Sequence, residues 1–124
     1  MSTTTTNEET VHYKGSCHCK KFEFEFDVPK ITKAHSCNCS ICHQKATVYH
    51  FMPLEKVKFT KSSFKEASAY QFGQKRYKHM FCPVCGCSPF GTDNDEKGGA
   101  INLRAVEGIK LKELEITEID GASL

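Results

Sequence analysis

The eight cysteines of this 124-residue chain fall into three tight groups: Cys17 and Cys19, then Cys37, Cys39 and Cys42, then Cys82, Cys85 and Cys87. No other feature restricts the fold as much. A disulfide between residues two apart is strained, whereas two thiolates can share one metal ion at that separation. The grouping therefore predicts metal sites rather than a disulfide framework. Disulfides also belong to oxidising compartments. Met1 to Thr10 is polar and lacks the apolar core of a secretory signal.

Ligand arithmetic divides the groups into two sites. Cys82-Pro83-Val84-Cys85-Gly86 has the form of a zinc knuckle, in which two intervening residues let both sulfurs turn toward one ion. Gly86 can take the positive φ that such a turn requires. Cys17 and Cys19 can supply the other two ligands, because residues two apart on an extended segment point to one side, with His18 facing away. The expected closed set is Cys17, Cys19, Cys82 and Cys85, a structural zinc site whose binding energy becomes folding energy. Cys37-Asn38-Cys39-Ser40-Ile41-Cys42 places three more thiolates within six residues. Three protein ligands with an open fourth position is the pattern of a catalytic zinc. The site is closed instead if a further residue joins it, with Cys87 the first candidate and His35, His43, His50 and His79 the others. Two zinc ions per chain are expected either way. His35, His43 and His50 are also candidates for proton shuttling or for hydrogen bonds to ligands.

The remaining sequence reads as one small β domain. Met1 to Thr10 is expected to be a disordered tail, and residues 11–124 a single domain. Lys20 to Asp27 alternates, with Phe22, Phe24 and Phe26 on one face and Glu23 and Glu25 on the other, which predicts a half-buried strand. Further strands are expected over Ala46 to Met52, Ala67 to Phe72, Arg76 to Phe81, Ala100 to Val106 and Leu114 to Ile119. A hairpin is expected through Gly73, a loop over Thr92 to Gly99, and a helical turn over Ser40 to Lys45. Lys75, Arg76 and Lys78 form a small basic group, either a solvated strand face or a seat for a carboxylate. The 17 basic and 15 acidic residues leave a net charge of +2 and no Trp is present, which argues against binding nucleic acid mainly by charge. No apolar run is long enough to span a bilayer. Cytoplasmic, and also nuclear, localisation is expected.

Gly15-Ser16-Cys17-His18-Cys19, Cys37-Asn38-Cys39-Ser40-Ile41-Cys42 and Phe81-Cys82-Pro83-Val84-Cys85-Gly86 together resemble the glutathione-dependent formaldehyde-activating enzyme family, which shares its domain with centromere protein V. Tyr70-Gln71-Phe72-Gly73, Asn102-Leu103-Arg104 and Glu107-Gly108 resemble its eukaryotic branch. The resemblance runs from about Val11 to about Asp120. It implies a mostly β fold, the β-tent, with short antiparallel sheets pinned by zinc. It implies a structural zinc on Cys17, Cys19, Cys82 and Cys85, and a catalytic-type zinc on Cys37, Cys39 and Cys42. The implied reaction joins glutathione to formaldehyde, formally a carbon–sulfur lyase run in reverse. The alternative is a non-enzymatic zinc-stabilised binding module related to centromere protein V. The chain departs from the family pattern at Lys20 and Ala46, where glycine is common, at Asn38, where many members have histidine, and at the extra thiol Cys87.

Overall fold

The computed structural model describes residues 10–71 and 77–123, and its regular structure is mostly strand. The expected tail falls on residues 1–9, outside the described residues, except for Thr10, which already pairs with Pro29. Strand β1 (Thr10–Ser16) runs antiparallel to β2 (Glu23–Pro29), and the turn between them carries Cys17 and Cys19. The alternation read from the sequence sets the burial. Phe22, Phe24 and Phe26 are 0%, 1% and 2% exposed. Each such ring removed from water contributes on the order of 2 kcal/mol.

The second, larger sheet is built from β3 (Lys33–Cys37), β4 (Tyr49–Pro53), β6 (Ser68–Tyr70), β7 (Tyr77–Phe81), β8 (Phe90–Asp93), β9 (Gly98–Asn102) and β10 (Glu115–Ile119). Its spatial order is β10-β3-β4-β9-β8-β7-β6, while β5 (Lys58–Lys61) completes the small sheet beside β2. Phe90 of β8 joins the two layers. Its ring lies 6.0 Å from Phe24, 5.9 Å from Phe22 and 5.1 Å from Phe59, each edge-on. Edge-to-face rings match the positive edge of one quadrupole to the negative face of the other.

The expected hairpin exists: β6 pairs antiparallel with β7, although its Gly73 turn lies outside the described residues. Thr92 to Gly99 is shorter as a loop than expected. β8 continues through Asp93, whose carboxylate accepts from the Lys97 and Gly98 amides at 2.9 and 3.1 Å, and β9 starts at Gly98. One pairing is not antiparallel. β10 lies parallel to β3, from Glu115 opposite Lys33 to Ile119 opposite Cys37. Parallel neighbours need a long crossover, and almost the whole domain separates these two strands. The pairing carries the C-terminal segment to the second cysteine group.

Candidate metal centres

The structure brings together the two cysteine sets expected from spacing. Within each of Cys17, Cys19, Cys82, Cys85 and Cys37, Cys39, Cys42, the sulfurs lie within 4.8 Å of one another. All eight cysteines are free thiols.

The first set sits where the β1–β2 turn meets the knuckle after β7. Cys17 and Cys82 are buried. Cys19 Sγ lies 3.7 Å from Cys17 Sγ and 3.6 Å from Cys82 Sγ. Zinc–sulfur bonds of ~2.3 Å at tetrahedral angles place sulfurs about 3.8 Å apart, so these edges fit the ion. The backbone is arranged for thiolates. Phe22 N–H points at Cys17 Sγ at 3.4 Å, and the Val84 and Cys85 N–H groups point at Cys82 Sγ at 3.4 and 3.5 Å. Backbone donors from Cys87 and Cys19 hold the Cys85 thiol down to about 6. Gly86 has φ +80 and returns its N–H to the Cys82 carbonyl at 2.9 Å, the conformation the motif requires.

The second set lies at the end of β3 and on helix α1 (Ser40–Lys45). Cys42 is buried, and Cys37 and Cys39 are half-buried. Burial pushes the Cys42 thiol up to about 12. Burial also opposes ionisation of Cys39, but the Cys42 backbone N–H and the neighbouring thiols prevail and lower it. A cation bound among three such thiols would reverse the cost of ionising them. The C-terminal segment covers the cluster. Asn38 N–H donates to the Ile119 carbonyl at 3.0 Å, Asn38 Nδ2 to Asp120 at 3.1 Å, and Ala122 N–H to Asn38 Oδ1 at 2.9 Å. A Cβ on Gly121 would overlap Cys37 Sγ, so only glycine permits this approach.

Sequence reasoning missed two neighbours of this cluster. Tyr49 Oη lies 3.9 Å from Cys42 Sγ, and burial raises its pKa, keeping the hydroxyl protonated as a donor. Thr47, 3% exposed, turns its buried hydroxyl toward both Cys42 and Tyr49. Both residues belong to a stretch readable only as apolar and β-forming. Nothing local shows that it faces the thiols.

Cys87 does not close the second cluster. Cys82 N–H donates to the Cys87 carbonyl at 2.9 Å, which ties Cys87 to the knuckle, and its neighbouring thiols are Cys85 and Cys17. No histidine belongs to either thiol group among the described residues. His50 stacks on Phe26 and His35 packs on Phe51, with ring centroids 6.2 and 5.1 Å apart. His43 is exposed on α1 and His79 is half-buried on β7. Of the basic group, Lys78 is held by Glu96 at 2.9 Å, and Lys75 and Arg76 lie outside the described residues.

Two of the departures noted in the sequence share one backbone feature. Lys20 has φ 69 and Ala46 has φ 54. The left-handed conformation is kept at both positions at a cost of about 1 kcal/mol each.

A family model described as glutathione-dependent formaldehyde-activating enzyme matches residues 12–115. The chain is also similar to a Rhodobacter sphaeroides protein of known crystal structure. The two share 27% sequence identity with a TM-score of 0.70, over 84% of this chain and 99% of that one.

Proposed function

The chain belongs to the glutathione-dependent formaldehyde-activating enzyme family, and from that premise we propose that it is a zinc-dependent carbon–sulfur lyase acting on a glutathione–formaldehyde adduct or a similar small thiol–aldehyde adduct. The observation that carries this reading is the second cluster: three thiols converge there, and the fourth candidate, Cys87, is tied to the other site. A zinc ion held by Cys37, Cys39 and Cys42 would supply Lewis acidity and stabilise a thiolate at the position three ligands leave free. Cys17, Cys19, Cys82 and Cys85 would hold a second, structural zinc.

The chain's own groups suit the addition. The thiol gives up its proton, its sulfur attacks the aldehyde carbon, the C–S bond forms as the C=O π pair moves to oxygen, and that oxygen takes up a proton. Tyr49, kept protonated beside Cys42, offers a hydrogen bond at the cluster, and the Thr47 hydroxyl beside both offers a second donor. Burial of Cys42 and the C-terminal cover limit water around the thiols. The non-enzymatic reading draws its support from a closed second site, and the placement of Cys87 speaks against that closure. No helix among the described residues is long and apolar enough to cross a membrane. Eight free thiols suit the reducing cytosol or nucleus.

Because the addition also proceeds without a protein, the test is exchange spectroscopy at equilibrium. NMR exchange between free glutathione and its hydroxymethyl adduct should accelerate in proportion to protein. Cys39→Ser should abolish the acceleration while the fold persists. Exchange at the spontaneous rate with zinc-loaded wild type would refute the enzyme reading.

A further inference from the structure

A cleft of roughly 690 Å³ opens between the β1–β2 turn, the last residue of α1, the segment after the knuckle and the end of β9, and none of the three thiols of the second cluster lines it. Lys20, Lys45 and Arg104 line it together with Ser16, His18 and the exposed thiol Cys87, and no carboxylate lines it among the described residues. In a chain with 17 basic and 15 acidic residues, such a one-signed wall is a local arrangement rather than a reflection of composition.

Two of the three cations are held in place. Arg104 Nε donates to the Ala46 carbonyl at 2.8 Å, and its backbone N–H donates to Asn102 Oδ1 at 3.2 Å. The Nε bond fixes the guanidinium plane and leaves the Nη edge for a ligand, the geometry that grips a carboxylate with two bonds. Lys45 Nζ donates to Ser88 Oγ at 2.8 Å and lies 5.2 Å from the Phe81 ring centre, which restrains a long side chain while other ammonium donors remain. Lys20 is the most telling. It stands at φ 69, a conformation unfavourable for any residue with a Cβ, on the rim of the cleft, and its ammonium has no ion pair among the described residues.

We infer that this cleft is a binding site for a small molecule carrying two carboxylates, with Arg104 gripping one and Lys20 and Lys45 the other. The cleft stands on its own geometry. Only the choice of probe rests on the functional reading above, since glutathione itself carries two carboxylates.

The probe is S-methylglutathione, which keeps both carboxylates and has no thiol to offer a metal; succinate is the plain dicarboxylate control. In calorimetric titration of the full zinc-loaded chain, S-methylglutathione should bind, and more weakly as salt rises. Lys20→Gly and Arg104→Gln should each weaken binding roughly tenfold. Lys20→Gly should melt no lower than wild type, because it relieves the backbone, so lost affinity cannot be blamed on unfolding. Bound probe should slow alkylation of Cys87 by iodoacetamide, read by peptide mass. Unchanged affinity in both Lys20→Gly and Arg104→Gln would overturn the proposal, as would failure of both probes to bind. Binding of succinate alone would uphold the cleft and count against glutathione as its ligand. The exchange assay on the second cluster is scored separately.

Discussion

Replacing Gly121 by alanine should loosen the second cluster without touching a thiol. The new Cβ would overlap Cys37 Sγ and press on Cys39 Cβ at 3.4 Å. Elsewhere a side chain could swing away, but here Cys37 must face Cys39 and Cys42 to share an ion, so the backbone has to yield. The segment that yields shares three hydrogen bonds with Asn38, which donates to the Ile119 carbonyl and the Asp120 carboxylate and accepts from the Ala122 N–H. A protein hydrogen bond contributes about 0.5–1.5 kcal/mol net. These bonds are partly exposed and fall toward the lower figure, so losing them costs about 2 kcal/mol, equivalent to roughly thirtyfold in affinity. The assay is zinc release to a chromophoric chelator. Gly121→Ala should release one zinc per chain roughly thirtyfold more readily and retain the other. Ser123→Ala removes only the 2.7 Å bond to Asp120 and should behave as wild type. If Gly121→Ala releases zinc like wild type, the C-terminal segment does not brace Cys37.

Cys82→Ser should cost the folded state itself, seen as collapse of amide NMR dispersion, whereas Cys39→Ser should stay folded; a well-dispersed Cys82→Ser spectrum would break the structural assignment of the first set. Phe24→Ala should destabilise the domain by about 3–5 kcal/mol in chemical denaturation, since its buried ring touches Phe26, Phe59 and Phe90. Imidazole titration by NMR should place His50 and His79 below 6.5, through burial first and then repulsion by His35 and Lys45 respectively, and His12 above it through its bond to Asp27. For His50 and His79 the unfolded chain binds more protons between the lowered values and 6.5, so their effect is a stability that falls as pH drops through that window. His12 works in the opposite sense: its contribution is full below 6.5 and is lost as pH rises through its raised value.

Local signals survived the passage from sequence to structure, and distant ones did not. The knuckle was legible because two intervening residues and a following glycine fix the geometry within one turn. The phenylalanine alternation in β2 was legible for the same reason. Two polar strands were not: Lys33–Cys37 and Lys58–Lys61 carry little apolar periodicity, and they form because neighbours supply pairing partners. Thr47 and Tyr49 meet the thiols only because β4 runs between β3 and β9. Ligand count alone left Cys87 as one candidate to close the second cluster. It lies two residues beyond Cys85, and the 2.9 Å bond from Cys82 N–H that closes the knuckle holds it there.

The two clusters occupy different mechanical settings. Cys17 and Cys82 belong to the same buried set as Phe22, Phe24 and Phe90, so an ion among the first four thiols would be tied to the core and exchange only when the core opens. The second cluster sits at a sheet end, on a helix of six residues, beneath a segment held by hydrogen bonds to one asparagine. That segment can lift at far lower cost than the core can open. A fold that places one thiol group against the core, and the other beneath a short strap, would separate a metal that holds the chain together from a metal that a substrate could reach.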